Sequence, residues 1–256
     1  MTVDESGQPE AAMEAPTIST TPAVSAAPPA GSKTPKWEVD ARERVKVGIR
    51  KFSKPLADFV ARDVNEADTR LLITDFLCEV LGYDKYSDVT AEFAIKGDFA
   101  DYGLRIEKQL VALIEAKRAT TKLSPKHLRQ VEDYGVREGV DWLILTNGSH
   151  WQVYRLGRTV PIVVDLAIEV DLLGPDQPSM KADRLFPITR DGMKHGVMDE
   201  IWVAKRATSP RAIAKVLTAP AVVTAVRKEL RRQTEYSATE DEVLGLIRAT
   251  VRPECL

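Results

Sequence analysis

Apolar residues first fall into a regular pattern after Trp37. Val45, Ile49, Phe52, Leu56 and Phe59 recur at steps of three and four, the period of one helix face, and Pro55 predicts a break or a second start within it. Asn65 is placed to cap a second helix, with Asp68 three positions on as a weak capping box. Leu72, Ile73, Phe76, Leu77, Val80 and Leu81 form the buried stripe of that helix, and Gly82 stops it. The period then shortens. Val89–Ile95, Phe99–Ile106 and Leu110–Lys117 read as strands, the first ended by a Gly97-Asp98 turn and the other two joined as a hairpin around Glu107-Lys108. The run from Leu110 to Ile114 is apolar throughout, as a central strand covered on both faces should be.

Ser124-Pro125 predicts a helix start, with Ser at the cap and Pro in the first turn, and the helix should reach Glu138 with Gly139 at its end. Trp142–Thr146 reads as a buried strand, Asn147-Gly148 as a hairpin turn and His150–Leu156 as its partner, with an edge strand over Pro161–Val170. The resulting order is helix, three strands, helix, two or three strands. That predicts an α/β sandwich with a mixed central sheet flanked by helices. Past Gly174 the pattern is helical again: Ser209-Pro210 and Pro220 start helices, and Thr239 with Glu242 makes a capping box for a last one. A helix-turn-helix over residues 209–232 is conceivable, but ordinary helix packing accounts for the same pattern.

Composition divides the chain. Residues 1–35 are rich in Ala, Pro, Thr and Ser without periodicity, and are expected to form a disordered tail. An α/β domain over 36–172 and a mainly helical extension over 173–256 are expected to follow. Across 256 residues, 44% apolar and 29% charged is ordinary for a globular chain with a sizeable core. Cys78 and Cys255 show neither disulfide-framework nor zinc spacing, and no apolar run reaches transmembrane length. With no secretory start, a cytoplasmic protein is expected, with no membrane partner.

Charge changes the picture more. The net charge of -2 hides Asp4, Glu5, Glu10 and Glu14 in a stretch of 32 residues with no Lys or Arg, so the remainder is net +2. Within it Lys117, Arg118, Lys122, Lys126 and Arg129 follow one another without an acid. Residues 203–232 form a second basic run, including Lys205, Arg206, Arg211, Lys215, Arg227, Lys228, Arg231 and Arg232 against Glu229. Local patches of this kind, rather than the total, are what a phosphate backbone meets, although solvated helix faces carry charge runs too.

The first of these runs begins where chemistry is expected. Glu115 and Lys117 are two apart on one strand, so both side chains leave the same face. Asp101 lies on the preceding strand of the predicted hairpin, nearly opposite Glu115. Gathering two carboxylates and an ammonium at one end of a sheet is costly without a purpose. A divalent cation supplies one, since hard carboxylate oxygens suit Mg²⁺, and the ion would polarise a phosphodiester and acidify a bound water. The structural alternative is a strand-end ion pair. A Glu-x-Lys triplet is common by chance; its context here is an apolar strand, an Asp 14 residues earlier and a basic loop after it.

Several further pieces fall in a fixed order: Asn65-Glu66 with Thr69-Arg70, Leu81-Gly82-Tyr83, Asp101-Tyr102, Ile114-Glu115-Ala116-Lys117-Arg118, Gln130 with Tyr134, and Leu145-Thr146-Asn147-Gly148 followed by Trp151. Taken together, this stretch resembles the N-terminal nuclease domain of the type I restriction enzyme R subunit, within the PD-(D/E)XK superfamily. The resemblance implies a restriction-endonuclease-like sandwich and a Mg²⁺-dependent endonuclease, with Mn²⁺ able to substitute, acting on DNA to leave a 5′-phosphate and a 3′-hydroxyl. It implies that Asp101 and Glu115 hold the metal, with the Ala116 carbonyl a further ligand, and that Lys117 orients the attacking water and offsets transition-state charge. Glu66 matches an acidic residue beside the site, with a helix-start carboxylate favoured by the macrodipole as the alternative.

Gln130 and Tyr134 share a helix face and match a motif near the nucleic acid, though core packing is the simpler expectation for Tyr134. Arg118, Lys122, Lys126 and Arg129 are the expected phosphate contacts. The chain departs from the complete R subunit in having no GxxxxGK[ST] loop; Gly31-Ser32-Lys33-Thr34 lacks the first glycine. A nuclease domain in restriction or defence against foreign DNA is therefore expected, without its own ATP-driven translocase, working with other restriction or defence subunits. The rival expectation is a catalytically silent module of the same fold that binds nucleic acid or a partner protein.

Overall fold

The computed structural model describes residues 34–95, 98–157 and 162–251, apart from the side chains at 95, 98, 125 and 130. Most of the expected tail, Gly97 of the expected turn and Pro161 at the start of the expected edge strand lie outside them.

Helix α1 spans Lys36–Ala61 and buries Ala41, Val45, Ile49, Phe52 and Leu56 along one face. Pro55 does not interrupt it. Phe52 and Leu56 on either side are buried, while Lys51 and Pro55 are exposed, so the carbonyl that loses its N–H partner faces water. Packing overrides the local penalty. Helix α2, Glu66–Glu79, is capped as expected: Asn65 accepts from the Asp68 amide at 2.8 Å. The reciprocal bond of the box runs from the Asn65 side-chain amide rather than its backbone N–H.

Six strands make one sheet in sequence order: β1 Val89–Ile95, β2 Asp98–Ile106, β3 Gln109–Ala116, β4 Trp142–Thr146, β5 His150–Leu156 and β6 Val164–Asp171. All neighbours are antiparallel except β3 and β4, which are parallel. The β2–β3 hairpin turns on Glu107 and Lys108, at φ 51° and 73°. Both central residues are left-handed, the conformation a two-residue primed turn requires, although neither is Asn or Gly.

The parallel pair is bridged by helix α3, Arg129–Glu138, ended by Gly139 at φ 67°. Its start differs from expectation. Pro125–His127 form a 3-10 turn and the α-helix begins after Leu128. The His127 ring takes the Ser124 amide at 3.2 Å while its own amide donates to the Ser124 carbonyl at 3.0 Å, which closes a tight local turn in place of a Ser cap.

Alternation along the strands divides the core. Ala112, Ile114, Trp142, Ile144 and Trp151 meet α1 and α2, whereas Leu113, Leu143, Leu145 and Leu156 meet α3. The chain is thus α/β, with a six-stranded mixed sheet covered by helices on both faces. Phe76 lies between Phe52 and Trp151, ring centroids 5.3 and 5.1 Å away, and truncating such a residue costs about 3–5 kcal/mol.

Beyond the sheet come α4 (Pro178–Leu185), α5 (Arg190–Lys194), α6 (Val197–Ala207), α7 (Pro210–Leu217), α8 (Pro220–Thr234) and α9 (Glu240–Thr250). The main core runs on past residue 172 through Ala182, Leu185, Ile188 and Met198. By contrast α8 and α9 share a small cluster of their own around Val223, Ala238 and Val243. Ser209 caps α7, and the Thr239–Glu242 box opens α9 with both of its bonds present. No helix among the described residues is long and apolar enough to cross a membrane.

Candidate functional site

Strand β3 carries the site because its last five residues are buried on both sides of the sheet while the chain beyond them leaves it. Parallel pairing with β4 places Glu115 beside Leu145 and Ala116 beside Thr146, and the Lys117 amide continues to the Thr146 carbonyl at 2.7 Å. On the other side, the ladder with β2 stops at Tyr102 and Ile114. Just past that point Asp101 Oδ2 accepts the Ala116 amide at 2.8 Å. The second carboxylate is therefore held next to the residue that follows Glu115.

Glu115 is buried, 4% exposed, and its Oε1 accepts from Lys117 Nζ at 2.5 Å. Asp101 Oδ1 receives Arg70 Nη1 at 2.9 Å. Arg70 comes from α2, four residues after Glu66, so the two share a helix face. Three carboxylates, Asp101, Glu115 and Glu66, thus act on two cations, Arg70 and Lys117.

The titration behaviour follows from that excess. Burial raises the Glu115 pKa above the usual carboxylate range; the Lys117 bond opposes this, and the negative charges of Asp101 and Glu66 reinforce it. Burial pulls Lys117 down, but its bond to Glu115 and the charges of Glu115, Glu66 and Asp101 outweigh that and hold it above the usual lysine value. Arg70 is likewise raised despite burial, chiefly by its bond to Asp101.

Among the described residues no group of three or more His, Cys, Asp or Glu side chains is gathered to hold a metal ion. The donor set nevertheless fits Mg²⁺. That ion keeps several waters and takes one or two carboxylates from a protein, and Asp101, Glu115 and the Ala116 carbonyl are all hard oxygens. Like-charge repulsion at Glu115 is the signature of a place where positive charge is under-supplied.

The surroundings explain several residues quoted above in structural terms. Thr69 is buried; its hydroxyl donates to the Asn65 carbonyl at 2.8 Å and accepts the Ala119 amide at 3.3 Å. Asn147 Oδ1 accepts the Ser149 and His150 amides, while its Nδ2 donates to the Thr121 carbonyl at 2.9 Å. Gly148, at φ 88°, supplies the turn, and its carbonyl accepts Trp151 Nε1 at 2.9 Å. The loop after Lys117 is thereby tied to α2 and to the β4–β5 turn. Tyr102, its phenol pushed up to about 12 by burial, donates to the Arg70 carbonyl at 2.6 Å.

The expected nucleic-acid residues are dispersed. Arg118 pairs with Asp63 at 2.6 Å, and Thr120 bonds the same carboxylate. Lys122, Lys126 and Arg129 are exposed along the loop and the start of α3. Tyr134 is buried with Leu113, Leu143 and Leu145 in the core beneath α3, and the Gln130 side chain lies outside the described residues. Sequence reasoning gave Arg70 and Thr69 no place in the site. The four-residue spacing of Arg70 from Glu66 was the available signal for the first; Thr69 carried none. No family model, curated protein or solved structure matches the chain.

Proposed function

We propose that this chain is a Mg²⁺-dependent endonuclease-like protein that hydrolyses DNA phosphodiester bonds, in restriction or defence against foreign DNA. The observation that carries the reading is the bond from the Ala116 amide to Asp101, which sets a second carboxylate beside the Glu115–Lys117 pair. Asp101, Glu115 and the Ala116 carbonyl are the groups that would hold the ion. Bound there, it would act as a Lewis acid on a phosphodiester and lower the pKa of a coordinated water.

The protein's own residues supply the rest. Lys117 keeps its proton at neutral pH because three carboxylates surround it, so it can orient a water and offset charge on the phosphorane oxygens. Arg70 holds the Asp101 carboxylate in place from α2. Lys122, Lys126 and Arg129, exposed on the segment that leaves the site, meet backbone phosphates, which fix register without reading sequence.

A second reading has one observation in its favour. Arg70 and Lys117 already neutralise Asp101 and Glu115, as they would in a nuclease-fold module that binds nucleic acid or a partner without cleaving it. Incubating the full chain with duplex DNA, single-stranded DNA and RNA in Mg²⁺, Mn²⁺ or EDTA separates the two. Metal-dependent cleavage of DNA supports the enzyme. Binding without cleavage under every condition supports the module.

A further inference from the structure

Away from the site, a cleft of about 830 Å³ opens where the edge strand β6 meets α6 and α7. Four cationic side chains, Lys205, Arg206, Arg211 and Lys215, line it against one carboxylate, Asp165. Lys205 is committed to the fold. Its Nζ donates to the Leu166 carbonyl at 2.7 Å, which covers backbone acceptors of the edge strand. Arg206, Arg211 and Lys215 are exposed, and no carboxylate among the described residues pairs with any of them.

Register places this cleft relative to the site. Leu166 pairs with Tyr154, which faces Leu143 and then Leu113 on β3, two residues before Glu115. The cleft is therefore three strands across and two residues down from Glu115, roughly 14 Å by 7 Å in the plane of the sheet. It is a separate site.

We infer that this cleft binds a nucleic-acid strand through its phosphates, as a contact remote from the carboxylates. The inference rests on the nucleic-acid part of the reading above and not on cleavage. Uncompensated cations on a surface otherwise rich in ion pairs mark a place where an anion supplies the missing charge. Arg211 and Lys215 lie four residues apart on one face of α7, about 6 Å along the helix axis. That matches the ~7 Å rise over two nucleotides of a stacked strand. Arg206, from α6, adds a third cation from the other wall. Ser209 and Arg211 also bring the first turn of α7 to the cleft, where the helix dipole favours an anion.

The test uses the full chain, a labelled 20-nucleotide strand and anisotropy in EDTA, over a series of salt concentrations. The triple variant Arg206→Glu, Arg211→Glu, Lys215→Glu, shown to be folded by its thermal melt, should bind at least tenfold more weakly. Its logarithmic salt slope should fall by about 2 to 3, because each lost phosphate contact removes about 0.9. The variant with Gln at the same three positions should fall between it and wild type. Affinity and slope equal to those of wild type would overturn the inference. So would a polyglutamate of equal charge that displaces the strand as well as unlabelled DNA does, since the cleft would then take an acidic peptide. Cleavage in Mg²⁺ is scored separately. A wild type that binds through the cleft and never cleaves keeps this inference and sinks the nuclease reading; a wild type that cleaves while the triple variant binds normally does the reverse.

Discussion

Replacing Arg70 with Gln removes the cation that faces Asp101 while leaving the carboxylate its bond to the Ala116 amide. The two side chains of the pair are 34% and 12% exposed, with 2.9 Å between Nη1 and Oδ1. An exposed pair contributes about 0.2–1 kcal/mol, and stranding a buried charge costs about 3–5 kcal/mol. With Asp101 half-way between those cases and still hydrogen-bonded, Arg70→Gln should destabilise the fold by about 1–2 kcal/mol in EDTA. Mg²⁺ should then narrow the gap. An ion at a hundred times its Kd adds about 2.7 kcal/mol to the fold that binds it, and losing a neighbouring positive charge favours the ion, so the variant gains more than wild type. Urea denaturation followed by tryptophan fluorescence, in EDTA and in Mg²⁺, reads both effects. A gap that Mg²⁺ leaves unchanged would refute the idea that Arg70 stands in for metal charge. No loss in EDTA would refute the pair's part in holding Asp101.

Three other outcomes are expected. Thr69→Val keeps the shape of the side chain but leaves the buried Ala119 amide without an acceptor, which should cost about 1–3 kcal/mol in a urea melt; a neutral result would mean the loop is not tied down there. Lys108→Gly should stabilise the fold by about 0.5–1 kcal/mol, because Gly adopts the left-handed turn at φ 73° without strain and returns only part of that gain as unfolded-state entropy. A fall in thermal midpoint would contradict the turn geometry. Glu115 has a folded pKa raised above its unfolded value, chiefly by burial, so its contribution to stability is present below the usual carboxylate range and lost as pH rises through the folded pKa. Glu115→Gln should therefore gain on wild type between about pH 4 and pH 8 in EDTA, as measured by paired denaturation curves; a constant difference across that range would show that burial does not govern this group.

Much of the architecture was legible because the chain changes its hydrophobic period where its elements change. The strand pattern at Trp142–Thr146 and His150–Leu156 reproduces the observed elements, and local chemistry at Asn65, Gly139 and Thr239 set the helix ends. Where the reading failed, a tertiary contact outweighed a local rule. Burial of Phe52 and Leu56 carries α1 through Pro55, and the His127 ring displaces the cap expected at Ser124. The boundary of the core was hidden for a similar reason: Ala182, Leu185 and Met198 look like any helical stripe until α4 to α6 are seen against the main cluster. For the candidate site, the alternation of a strand puts Glu115 and Lys117 together, and the hairpin brings Asp101 near. Neither periodicity nor spacing could reveal that the Asp101 carboxylate accepts the Ala116 amide, since that bond forms only where the β2–β3 ladder ends.

The account's central claim is that Lys117 acts on the reacting phosphate beside a metal held by Asp101 and Glu115. The most direct test is the single-turnover rate of DNA cleavage in Mg²⁺ by wild type and by Lys117→Ala. As a protonated amine Lys117 is not a metal ligand, so its removal spares both carboxylates, and the lost interaction is felt mainly in the transition state. The account predicts a fall of roughly 10²- to 10³-fold or more, as for other preorganised donors, in a variant that still folds. Cleavage by Lys117→Ala at the wild-type rate would contradict it.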